Sequence, residues 1–283
     1  MATVLRWSRT VLRAIALATL AAACGNQTAR APVPTAYDWP DSLAYRITVM
    51  ARAMRDTQTV ASFVDMKTLK FRVRYDGSYS VWHDSMTVID SQSASPPVHL
   101  GPQPEDTLHY IVQLSRWGEF LAVVPACDPA LPRCHDVAPS ALQFELRDLI
   151  PQLPVWWPPR GHAWEDTLWF DDSPRRWGER GSVASVYGAM RDTVAGGGAY
   201  WVVAWRSVRR AFDWGPRDTV AVAPVAETGT VYVDKRLLVP AFAEWRSTLP
   251  ARGVPGATRI EVRGRAVLAG SVFDSRALTQ EGR

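Results

Sequence analysis

Apolar and polar residues alternate along most of this chain, and the clearest case is TLKFRVRYDGSYSVW. There Leu69, Phe71 and Val73 take turns with Lys70, Arg72 and Arg74, which describes a strand with one dry face and one wet face. Asp76-Gly77 then closes a hairpin, and register decides its loop length. A two-residue loop would set Val73 opposite Ser80. A three-residue loop, Tyr75 to Gly77, sets Val73 opposite Tyr79 and Phe71 opposite Val81 and keeps the apolar face whole, so the longer loop is expected. Similar patterns predict strands over 44–53, 107–114, 119–124, 167–170, 182–190, 199–207, 219–225, 229–234, 237–246 and 259–269. The first of these also contains Ala, Arg and Met residues that suit a helix. One helix has its own signals: Ser140 with Gln143 forms a capping pattern, Leu142, Leu146, Leu149 and Ile150 share a face, and Pro151 ends it. About ten strands with one clear helix predict a mainly β fold. The expected form is a single strongly curved antiparallel sheet, half-barrel-like, closed over apolar contents by one or a few covering helices.

The stretch LPVWWPPRGHAWEDTLWF after the helix concentrates tryptophan, proline and carboxylate. Pro151, Pro154, Pro158 and Pro159 end the helix and carry the chain across, Gly161 permits the turn, and Asp166-Thr167 starts a strand. Trp164, Leu168 and Phe170 share a strand face with Asp166, while Trp201 and Trp205 share one with Val203. Trp164, Trp201 and Trp205 are therefore expected in the core, and Trp157 and Trp177 at a rim or in a loop, where they are the candidate ligand contacts.

Composition adds a location. Of 283 residues, 47% are apolar, enough for a sizeable core. The net charge of +4 is concentrated at the start, where Arg6, Arg9 and Arg13 precede AIALATLAAAC. Without those three the remaining 29 basic residues nearly balance 28 acidic ones, so nucleic acid is excluded as a partner. A basic segment, an apolar run of about ten residues and small residues before Cys24 describe a lipoprotein leader. Residues 1–23 are then the signal peptide and Cys24 the acylated residue. Its acyl chains would hold the chain on a membrane, with residues 24–40 as a flexible tether, 41–275 as the folded domain and 276–283 as a tail. An ordinary secretory leader with an incidental cysteine is the alternative. Gly25 in place of Asp after the cysteine points to the outer membrane, facing the periplasm. In that oxidising compartment Cys127 and Cys134 are expected to form a local disulfide. Metal binding by the pair with His135 is the other reading, and the spacing disfavours it.

The order of Cys-loop, amphipathic helix, the LPVWWPPRGHAWEDT segment, the FRVRYDG hairpin and the late GTVYVD strand resembles lipoproteins of bacterial envelopes. These are distantly similar to the lipoprotein-carrier (LolA/LppX-type) half-barrel families. The resemblance implies a curved sheet whose concave apolar face is lidded by helices and holds an acyl chain or other hydrophobic molecule. It supplies no catalytic residues.

Searches for chemistry find no G-x-S-x-G, H-E-x-x-H, C-x-x-C, P-loop or G-x-G-x-x-G pattern. The five histidines, His83, His99, His109, His135 and His162, are dispersed and are expected on the surface or in turns. Glu165 and Asp166 are neighbours in a strand and must point to opposite faces. Arg209 and Arg210 in SVRRAF are expected as solvated strand residues. The chain is thus read as a non-enzymatic envelope lipoprotein without a cofactor or metal. Its possible partners are a lipid or other hydrophobic molecule in the concave face, or a protein docked on the sheet. Glycan stacking on exposed tryptophans is a lesser alternative.

Overall fold

A computed structural model describes residues 36–90, 98–100, 109–126, 139–154, 162–171, 179–214, 219–221, 224–251 and 254–274. Cys24, Cys127, Cys134, Trp157 and Trp177 all lie outside the described residues, as do the leader and the tail. Fourteen strands join in one sheet, and every pairing in it is antiparallel.

In chain order these are β1 (Ser42–Arg55), β2 (Gln58–Val73), β3 (Tyr79–Asp90), β4 (Val98–Leu100), β5 (His109–Leu114) and β6 (Phe120–Ala126), then helix α1 (Pro139–Leu149). There follow β7 (Trp164–Asp171), β8 (Glu179–Tyr187), β9 (Arg191–Ala195), β10 (Gly198–Trp214), β11 (Thr219–Ala221), β12 (Val225–Asp234), β13 (Pro240–Pro250) and β14 (Arg259–Leu268). In space the order is β6-β5-β3-β2-β1-β14-β13-β12-β10-β8-β7. The short strands β4, β9 and β11 extend the edges of β3 and β10. The first and last strands of the path do not pair, so the sheet is open.

Laid flat, eleven strands would set the two edges about 48 Å apart. Instead, Tyr110 and Val112 of β5 and Trp164 of β7 belong to one buried cluster with α1 and the central strands. The sheet is therefore strongly curved, and α1 lies in its hollow, packed on β13 and β6. Leu142, Leu146, Leu149 and Ile150 of the helix region meet the inward side chains Tyr45, Leu69, Val81, Val203 and Val231. The predicted hairpin is present in the predicted register, Phe71 opposite Val81 and Val73 opposite Tyr79. Gly77 takes φ 78 at its tip, a conformation that side chains with a Cβ resist. The Asp76 carboxylate accepts bonds from the Ser78 backbone and hydroxyl there.

Several elements differ from the sequence pattern. The chain joins the fold at Tyr37, four residues before the expected boundary at 41. Tyr37 is buried, receives Gly118 against its ring and donates to the Pro151 carbonyl at 2.6 Å. The helix begins at Pro139, so Ser140 lies inside its first turn. β2 begins at Gln58, eleven residues before Leu69, because Asp65 and Lys67 face inward and interrupt the apolar alternation. β12 begins at Val225 rather than 229 for the same reason, with Glu227 facing inward. β13 starts at Pro240 rather than 237, because Asp234 caps a turn through the Arg236 and Leu237 amides. Strand β8 ends at Tyr187 rather than 190, where the edge bends and β9 takes over along β10.

Candidate functional site

The interrupted alternation has a spatial meaning. Following register across five neighbouring strands, Asp166 of β7 lies opposite Ser185 of β8, Ser185 opposite Ser207 of β10, Ser207 opposite Glu227 of β12, and Glu227 opposite Ser247 of β13. These five residues form one row across the inward face. The three serines are only 2%, 4% and 8% exposed. An inward row of hydroxyls and carboxyls costs stability unless each group is paired.

The neighbouring row on the same face is aromatic: Trp164, Tyr187, Trp205, Gly229, Trp245 and Gly264 follow one another from strand to strand. Trp164 stacks on Tyr187 at 5.2 Å and anchors its indole nitrogen to the Gln152 carbonyl at 2.8 Å. Trp205 and Trp245 lie over the glycines beside them. A Cβ on Gly229 would come within 2.5 Å of the Trp205 ring, and one on Gly264 would overlap the Trp245 ring outright. Glycine at these positions lets the indoles lie along the sheet and form a flat aromatic floor beside the polar row.

Helix α1 brings charges to both ends of this surface. Arg147 donates to Ser185 at 3.1 Å and to Asp166 at 2.5 Å, and its side chain is 7% exposed. The Gln152 amide lies against the same carboxylate, and oriented with its nitrogen toward it, as the acceptor requires, it donates at 3.0 and 3.1 Å. On the other side, Glu145 accepts from Lys67 of β2 at 2.8 Å, with His83 of β3 at 3.5 Å. Burial opposes the charge on Glu145, but His83 and Lys67 outweigh it and hold its carboxyl below the usual range. Burial likewise opposes the charge on Lys67, and Glu145 and Asp65 outweigh it.

Between these two anchors, Asp148 of α1 faces Glu227 of the row. Burial first, and then the Glu227 charge, push Asp148 well above the ordinary carboxyl range. Burial raises Glu227 too, against the lowering effects of Arg209 and the Ser247 hydroxyl. A raised carboxyl pKa favours the folded state in acid, and that contribution is lost as pH rises through the raised value. Asp148→Asn is therefore expected to raise the melting temperature at pH 8 and leave it nearly unchanged at pH 4. Thermal unfolding followed across that range checks the sign. Glu145 works oppositely: its contribution is present above the ordinary carboxyl pKa and is lost as pH falls through the lowered one.

Several inward polar atoms have no partner among the described residues: the indole nitrogens of Trp201 and Trp205, the Ser207 hydroxyl, and one oxygen each of Asp65 and Glu145. Trp205 and Ser207 are neighbours on one face of β10, beside Glu227 and Asp148. A buried donor or acceptor left unpaired costs about 1–3 kcal/mol, so these atoms call for partners from ordered water or from a bound molecule.

The predicted core tryptophans Trp164, Trp201 and Trp205 are buried as expected, and Asp166 and Glu165 do face opposite ways. Two expectations are corrected. His83 points into the hollow beside Glu145 rather than lying on the surface, because it continues the inward alternation of Tyr79 and Val81 and pairs opposite Leu69. Arg209 is half-buried, lies over the Phe144 ring at 5.1 Å and acts on both Asp148 and Glu227; Arg210 is solvated. The sequence reading missed the row itself, since its five members come from five separate strands.

No protein-family model matches the chain, and no curated protein matches it. Among solved structures it is similar to a Bacteroides fragilis protein described as exported, with a YmcC-like fold, at 13% identity and a TM-score of 0.25, covering 82% of this chain and 97% of that one. It is also similar to a LolA superfamily protein of Nitrosomonas europaea at 11% identity and a TM-score of 0.14, covering 82% of this chain and 86% of that one. Likenesses this faint carry no residue and no activity across.

Proposed function

We propose that this chain is a non-enzymatic, lipid-anchored protein of the bacterial envelope that holds an amphiphilic molecule against the inward face of its sheet. In this reading the apolar part of the ligand enters the hollow against Trp205 and Trp245, which are only 7% and 8% exposed without it, and its polar part hydrogen-bonds to the row. The observation that carries this reading is the group of unpaired buried atoms at Trp205 and Ser207, beside the Asp148 and Glu227 carboxyls. Such a surface suits a molecule with both hydroxyl or carbonyl groups and a flat or flexible apolar portion. Cys24 provides the anchor in this reading. Mass spectrometry of the mature N-terminus should find acylated Cys24, and a Cys24→Ala protein should leave the membrane fraction. An unmodified chain starting elsewhere removes the anchor from the account. Extraction without harsh detergent, followed by lipid and metabolite analysis, should recover a bound amphiphile in near-stoichiometric amount.

A second reading has its own observation. Strands β6 and β7 each pair on one side only among the described residues, and Trp169 on β7 is 75% exposed. An open edge with an exposed indole suits strand addition by a protein partner. Trp169→Glu should abolish such an association and leave amphiphile recovery unchanged.

A further inference from the structure

The outward face of the sheet carries a second feature, independent of the inward row. Arg46 and Arg52 of β1 and Arg263 and Arg265 of β14 line a depression of about 540 Å³, with Thr48 and Thr68 in its floor. One acid, Asp274, borders it, and that carboxylate is already taken by Arg46 at 2.6 Å. Arg52 and Arg263 have no ion pair or hydrogen bond among the described residues, and the Arg265 Nε is buried without a partner. Two other acids lie across from these arginines, Glu261 opposite Arg52 and Glu244 opposite Arg265; Glu261 is bonded by Arg259 at 3.0 Å, and Glu244 makes no ion pair with Arg265.

Register makes the concentration of charge more costly. Arg263 lies directly opposite Arg246 of β13, and Arg246 bonds to Thr228 at 3.2 Å rather than to a carboxylate. Like charges set directly across a sheet repel. Apart from its leader the sequence is nearly neutral, so this is a local accumulation rather than a reflection of overall charge. Guanidinium forks match tetrahedral oxyanions, and several converging forks serve phosphate better than a lone carboxylate, which occupies one fork at a time.

We infer that this outward basin binds a phosphate-bearing group, with Arg52, Arg263 and Arg265 as its ligands. A lipid headgroup and a free phosphorylated molecule present the same chemistry. The test uses the full chain carrying Cys24→Ala, so that no acyl anchor reaches a membrane. Calorimetric titration with inorganic pyrophosphate should show saturable binding that weakens with salt and falls at least about tenfold in Arg52→Gln and in Arg263→Gln. Free of ligand, Arg263→Gln should melt higher than the parent, because Arg246 loses its like-charged neighbour. A merely solvated arginine would give neither effect. Phosphatidylcholine vesicles with and without phosphatidylglycerol separate the sources. Sedimentation that depends on phosphatidylglycerol and on Arg263 identifies a headgroup, and pyrophosphate binding without it identifies a free molecule. The inference is overturned if neither probe binds, or if both arginine variants bind as the parent does.

Discussion

Gly264→Ala is expected to unfold roughly 6–12 °C below the parent protein, from a loss of about 3 kcal/mol at the rate usual for domains of this size. The position is not a turn and its backbone is ordinary strand. The cost comes from the Trp245 indole, which lies where the new methyl group would stand. Lifting the ring would displace the aromatic floor and the packing of β13 on β14, since Trp245 and Gly264 are direct cross-strand partners. The explanation has an internal check. In a Trp245→Leu background the same Gly264→Ala change should cost less than about 1 kcal/mol, because the obstructing ring is gone. Equal costs in the two backgrounds, measured by urea unfolding, would show that the glycine serves some other purpose.

The Arg147→Met variant should lose about 3–5 kcal/mol, because it leaves the Asp166 carboxylate inside the fold without its cation. Both side chains are well buried, at 7% and 15% exposure, and Ser185 loses its donor as well. Adding Asp166→Asn to Arg147→Met should recover a large part of that loss. The surface pair Lys235–Asp192 is a fair contrast, since half of the Asp192 side chain is exposed. Its removal should cost less than about 1 kcal/mol. Similar losses at the two pairs would mean that Arg147 does not fasten α1 in the hollow.

What could be read from the sequence follows the physics of periodicity. Where one strand face is uniformly apolar, as at Leu69, Phe71 and Val73 or at Trp201, Val203 and Trp205, strand and burial were legible, and at the Tyr75–Gly77 hairpin the register was too. The helix was legible from its leucine spacing and the proline after it. The pattern failed where inward positions are polar, at Asp65 and Lys67, at Glu227 and at Ser247, and those are the positions that build the site. Each break is uninformative alone, because a polar residue at an inward register position looks the same as a strand ending. Only the pairing of β7, β8, β10, β12 and β13 shows that Asp166, Ser185, Ser207, Glu227 and Ser247 form one row. The inward position of His83 follows the alternation of Tyr79 and Val81, but its meeting with Glu145 depends on where α1 packs, which no strand pattern shows.

Ser207→Ala tests the inward site most directly. Alanine adds no atom and removes a buried hydroxyl that has no partner among the described residues. Native mass spectrometry of protein prepared from its own cells should show a ligand adduct on the parent chain and a bare mass for Ser207→Ala, while the emptied variant melts at least as high as ligand-free parent. A bare parent chain, or an adduct retained in full by Ser207→Ala, would contradict the assignment of the row as a binding site.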